Sequence, residues 1–186
     1  MIHSLHLTLS EYDAMVRKGA FDDLGRAVEL IRGELVEMNP AGPIHDDFIA
    51  YLNTWSAKSI DASQTVLTAQ TGLDLPEVDS RPEPDIFWVK AKRYREHHPR
   101  ADDVQLAIEV ADTSLAKDLE VKRLLYAEAR IVEYWIVDCR SNCIHVFRDS
   151  DGVDYQTRFV VTARDTLSPL IAPSAKLDLQ DLFEGN

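Results

Sequence analysis

Val104-Gln105-Leu106-Ala107-Ile108-Glu109-Val110 is followed, across the short connection Ala111 to Ser114, by a segment of helical period from Leu115 to Ala129, and then by Ile131 to Val137. The outer two runs are short, apolar and rich in β-branched or aromatic residues, as strands are. In the middle segment the stripe Leu115, Leu119, Lys122, Tyr126, Ala129 advances by four, three, four and three residues, which is one face of a helix. A strand, a helix and a second strand in this order place the chain in the α/β class, with the helix laid on a sheet.

Reading outward from that unit, further strands are expected at Val66 to Leu75 and Pro84 to Val89 before it, and at Ile144 to Phe147 after it. The tail from Val153 reads as one or two more strands and a short helix near Leu179 to Phe183. Upstream, Ile44 to Ile60 carries Phe48, Tyr51, Leu52 and Trp55 near helical spacing, so a long helix is expected. Asn39-Pro40-Ala41-Gly42-Pro43 breaks the chain before it. Val28 to Ile31 and Glu34 to Met38 flank Arg32-Gly33, the pattern of a β-hairpin with a tight turn. Ser10 with Asp13 resembles a capping box opening a helix from Glu11 to Lys18. Helix, three strands, helix, strand implies a mixed β-sheet flanked by helices, with an N-terminal β-hairpin.

The 186 residues suit a single domain, 1–186. Hydrophobic residues make up 45% and charged residues 28%, enough apolar material for a core. The N-terminal MIHSLHLTLSEYD lacks a basic region followed by an apolar run, so it does not read as a secretory signal. No apolar run approaches the roughly 20 residues that span a bilayer. A cytoplasmic protein with no membrane partner is expected. The two cysteines, Cys139 and Cys143, read as free thiols or as a pair across a hairpin; no second Cys/His pair stands at a spacing that completes a four-ligand zinc site.

Asp85 opens an apolar strand directly after Arg81-Pro82-Glu83-Pro84, and the prolines fit the rim of a sheet. Glu109 closes its own strand, sharing a face with Ala107 and Gln105. Two carboxylates ending neighbouring strands form an oxygen site suited to Mg²⁺ or Mn²⁺, and each taken singly also fits a strand cap or a salt bridge. Lys122 is more telling. A lysine within an otherwise apolar helical stripe must snorkel or meet a buried anion, and the strand-end carboxylates are the nearest candidates. Glu34 and His45, either side of the Asn39 to Pro43 turn, are a candidate third carboxylate and a candidate substrate or metal-water contact. Tyr126 shares the face of Lys122, which makes it a candidate substrate contact as well as a core aromatic.

The ordered set Gly33-Glu34-Leu35, His45, Pro84-Asp85, Glu109-Val110, Ser114, Lys122, Tyr126 and Glu133-Tyr134-Trp135-Ile136-Val137-Asp138 resembles the Uma-type restriction endonuclease family. That bacterial family is placed in the PD-(D/E)XK nuclease superfamily. The resemblance runs from about Glu11 to the C-terminus. It implies a restriction-endonuclease-like fold and a Mg²⁺-dependent endonuclease with DNA as substrate. Asp85 matches the aspartate of the first half-motif and Glu109 the acidic residue of the second. The usual lysine position, two residues after the glutamate, holds Ala111, and the family's displaced lysine matches Lys122 on the following helix. The Val110 carbonyl is a further candidate ligand. Domains of this kind often form homodimers.

Net charge argues in the other direction. At −12 the chain lacks the basic footprint of a tight duplex binder. Lys90, Lys92, Arg93, Arg95, His97, His98 and Arg100 form a local basic run that either tracks phosphates or is a solvated loop. Two alternatives therefore stand beside the nuclease: a non-catalytic binding or regulatory protein that retains the fold, and a hydrolase of another phosphate ester.

Overall fold

The Val104 strand lies inside a six-stranded sheet ordered β3-β4-β5-β6-β7-β8. The computed structural model describes residues 5–38 and 40–185. Asn39 and the first four residues, which enter the expected breaker and the N-terminal stretch above, lie outside them. The sheet strands are β3 (Thr65–Ala69), β4 (Ile86–Lys90), β5 (Val104–Ala111), β6 (Glu133–Asp138), β7 (Cys143–Ser150) and β8 (Tyr155–Thr162). Every neighbouring pair is antiparallel except β5 with β6, which are parallel. A parallel pair needs a crossover, and the helical run from Leu115 to Glu128 supplies it.

Alternation along β5 builds a core on both faces. Leu106, Ile108 and Val110 join one apolar cluster, with Trp88, Trp135, Phe48 and Leu52 from α2 (Pro43–Ser59), and Leu179 and Leu182 from α5 (Leu179–Glu184). Ala107 and Ala111 join the other, with Leu125, Tyr126, Ala127 and Tyr134. Removing Trp88 and Trp135 fully from water contributes roughly 1.5–3 kcal/mol for each. The sheet is thus a mixed sheet between helical layers, as a restriction-endonuclease-like fold requires. Among the described residues no helix is long and apolar enough to cross a membrane.

The crossover is not one regular helix. An α-helical turn, α3 (Leu115–Lys117), leads into a π-helical turn over Asp118–Lys122, and α4 (Arg123–Glu128) follows. A π turn inserts an extra residue into the helical repeat. It leaves both Asp118 and Lys122 buried.

The hairpin pairs β1 (Val28–Ile31) with β2 (Glu34–Glu37), and Ile31 faces Glu34 across a two-residue turn. Arg32 and Gly33 both have positive φ, 50° and 78°, as the twist-matched hairpin turn demands. Three local expectations need correction. The first helix, α1, runs Leu9–Arg17, and its capping box is formed by Thr8 with Glu11, not Ser10 with Asp13. The strand expected over Val66 to Leu75 ends at Ala69, because Gln70 turns the chain at φ 48°. Two short strands, β9 (Thr166–Leu167) and β10 (Leu177–Asp178), pair with each other outside the main sheet.

Candidate active site

Five elements meet at an open cleft of about 210 Å³: the hairpin, the rim before β4, the end of β5, the start of α2, and the crossover. Asp85 stands one residue before β4. Its Oδ2 accepts a hydrogen bond from the Val110 N–H at 2.7 Å, so the side chain continues the β4–β5 ladder beyond its last backbone pair, Ile86 with Ile108. Its Oδ1 lies 3.2 Å from His45 Nε2, in the first turn of α2. Donation of its hydrogen bond to the Asp85 carboxylate raises the His45 pKa above its ordinary value, against the opposing effect of burial.

Glu109 is delivered to the same cleft by β5. Its Oε1 accepts from Lys122 Nζ at 2.9 Å and from the Tyr126 hydroxyl at 2.8 Å. Among the described residues nothing donates to its Oε2. Burial pushes the Glu109 carboxyl well above the usual range; the Lys122 cation opposes this, and Asp85, Asp118 and Glu29 add to the rise. Lys122 is itself 4% exposed. Burial alone would discharge it, but Glu109, Glu29 and Asp118 outweigh that and hold the ammonium protonated.

The structure brings Asp85, Glu109, Lys122 and His45 together, with Tyr126 behind Glu109, and it leaves Glu34 outside the group. Glu34 is exposed on β2, with its carboxylate 3.9 Å from His6 Nε2. It follows the hairpin turn, whereas the cleft is lined by Met38 and Pro40 at the opposite end of that strand. Tyr126 is fully buried, its ring edge-on to Tyr134. It cannot meet a substrate, and it orients Glu109 instead.

Glu29, on the other hairpin strand, is the acid the sequence reading passes over. It is buried and accepts from Lys122 at 3.0 Å, from Lys117 at 2.7 Å and from the Glu83 N–H at 2.9 Å. Burial would raise its pKa, yet the two lysines and that N–H hold it low. The signal was a charge on the inward face of Val28-Glu29-Leu30-Ile31. Asp118 is also buried, and it accepts from the Ser114 hydroxyl at 2.5 Å. The cleft is therefore lined by Glu29, Glu83, Asp85, Glu109, Asp112 and Asp118 against Lys117 and Lys122. That excess of hard oxygen donors fits a divalent cation such as Mg²⁺ or Mn²⁺.

A second donor group occupies the same face of the sheet one strand away. Asp138, Cys143 and His145 place a carboxylate oxygen, a thiol sulfur and an imidazole nitrogen within 4.8 Å of one another, close enough to hold a metal ion. Both cysteines are free, and Cys139 packs against the opposite face.

A mixed sheet between helices, with strand-end carboxylates gathered around a buried lysine, defines the restriction-endonuclease-like class. The model of the Uma2 family, "Putative restriction endonuclease", matches residues 9–180, and the chain belongs to that family. Among solved structures, a "putative nuclease belonging to DUF820" from Anabaena variabilis ATCC 29413 shares the fold with a TM-score of 0.73. The match has 17% identity over 96% of this chain and 98% of that one. No curated protein matches the chain.

Proposed function

We propose that the protein is a metal-dependent endonuclease that hydrolyses phosphodiester bonds in DNA, with Asp85 and Glu109 holding Mg²⁺ or Mn²⁺. The observation that carries the reading is the Lys122 amine, 2.9 Å from Glu109 in a cleft that also holds Asp85. A divalent ion there would activate water and neutralise charge on the scissile phosphate. Lys122, kept protonated by its carboxylate partners, presents fixed positive charge toward the phosphate as negative charge develops. Tyr126 and Glu29 are positioning residues: one orients Glu109, the other anchors the lysine. His45 fixes Asp85 from the α2 side, and Val110 N–H fixes it from β5. Family membership and the oxygen-rich cleft support the reading together.

The test is cleavage of linear and supercoiled DNA in Mg²⁺ or Mn²⁺ by the wild type, Asp85→Ala and Lys122→Ala, each first shown to be folded by circular dichroism. Loss in both variants is expected; equal activity in all three would remove the proposal. The charge of −12 and Ala111 at the usual lysine position favour a second reading, a non-catalytic binding or regulatory protein. Calorimetry separates the two, since Mg²⁺ or Mn²⁺ binding that depends on Asp85 and Glu109 belongs to the first.

A further inference from the structure

We propose that Asp138, Cys143 and His145 form a binding site for a borderline transition-metal ion, Zn²⁺ being the ion their chemistry fits, distinct from the oxygen cleft. The site arises from strand register. Asp138 ends β6 and pairs directly with Cys143, the first residue of β7. His145 lies two residues further along β7 and so on the same face. Cys143 Sγ and His145 Nε2 are 3.9 Å apart, and the whole donor set lies within 4.8 Å. A tetrahedral zinc shell places such donors about 3.4–3.6 Å apart, given zinc–ligand distances near 2.0–2.3 Å. Small side-chain rotations close that gap.

A second observation concerns Asp138. It is 4% exposed, yet among the described residues no lysine or arginine side chain pairs with it. Its Oδ1 is fixed by the N–H groups of Arg140 and Ser141, each at 3.0 Å, within the β6–β7 turn. The Ser141 side chain adds a further hydrogen bond to the same carboxylate, and one carboxylate oxygen lies in the donor set with Cys143 and His145. Those donors fix the carboxylate beside the thiol and the imidazole, so that the three would share one metal ion.

The donor types select the ion. A thiolate and an imidazole disfavour Mg²⁺ and Ca²⁺ and suit Zn²⁺. Cys139 packs on the other side of the sheet and is not a fourth ligand. Three protein donors with an open fourth position, reached past the half-buried His145, follow from this placement. The proposal stands independently of the nuclease reading, because none of its ligands lines the oxygen cleft.

Cobalt titration of the full, metal-stripped chain under reducing conditions tests it. One sulfur-ligated Co²⁺ per chain is expected, seen as a sulfur-to-cobalt charge-transfer band that saturates at that ratio and that Zn²⁺ abolishes by displacement. The band should persist in Cys139→Ser and Asp85→Asn and vanish in Cys143→Ser. His145→Gln, at a half-buried position, should weaken Zn²⁺ binding at least tenfold, and it keeps the test valid if Cys143→Ser does not fold. Cobalt held by carboxylates in the cleft would give no sulfur band. Absence of the band in the wild type, its loss in Cys139→Ser, or unchanged affinity in His145→Gln would each overturn the proposal.

Discussion

Lys122 bonds two buried carboxylates at once, so its removal leaves both without their shared cation. Lys122→Ala is expected to cost about 3–5 kcal/mol of stability at neutral pH, measured by urea unfolding. The deficit should shrink at acidic pH, where Glu109 and Glu29 take up protons. His45 gives a second pH signature in the metal-free protein. Its folded pKa is raised from the ordinary 6.5 by Asp85, so the pair's contribution is fully present below that value. It is lost as pH rises through the folded value. An NMR titration should show the raised pKa in the wild type and a fall in Asp85→Asn. At this scale Lys122 was legible, because a charge set in an apolar helical stripe has to meet a buried anion or reach water. Glu34 stands away from the cleft and Glu29, not legible in the sequence, lines it, for one reason. A hairpin's two strands carry similar carboxylates, and only the direction of its turn decides which end meets the cleft.

The elements were more legible than their ends. Period alone located α2, β5 and the crossover, and the prolines placed the start of β4. The capping box was also readable: Thr8-x-x-Glu11 offers the longer carboxylate the motif prefers, which Ser10-x-x-Asp13 does not. The π turn was not readable, since a stripe stepping by threes and fours looks the same whether or not one residue bulges. Between elements, α2 is tied to the sheet by polar contact as well as apolar packing. Trp88 Nε1 donates to Ser56 Oγ at 3.0 Å, and both residues are fully buried. Ser56→Ala leaves that N–H unsatisfied and should cost about 1–3 kcal/mol. The urea midpoint should fall with its slope unchanged. Metal binding in the cleft should persist, because Ser56 packs under the opposite face.

For the molecule as a whole, charge sets the terms of contact with nucleic acid. A protein of net charge −12 is repelled by phosphates at long range, and its exposed basic loop offsets this only locally. DNA association is therefore expected only with divalent cation present. Fluorescence anisotropy of a labelled duplex in Mg²⁺ and in chelator checks this, and chelator-insensitive binding would contradict it. Arg93→Ala and Arg95→Ala, both at exposed positions, should alter stability by less than about 0.5 kcal/mol. Sheet order carries one more consequence, for folding kinetics. Strands β3 to β8 lie side by side in the order the chain supplies them, so antiparallel neighbours can pair through local loop closure. The β5–β6 pairing alone is parallel and must wait for the crossover to fold back. Lys122 rides on that crossover. Refolding should therefore form hairpin hydrogen bonds first and bury the lysine late, with amide protection at β7 and β8 preceding protection in the crossover.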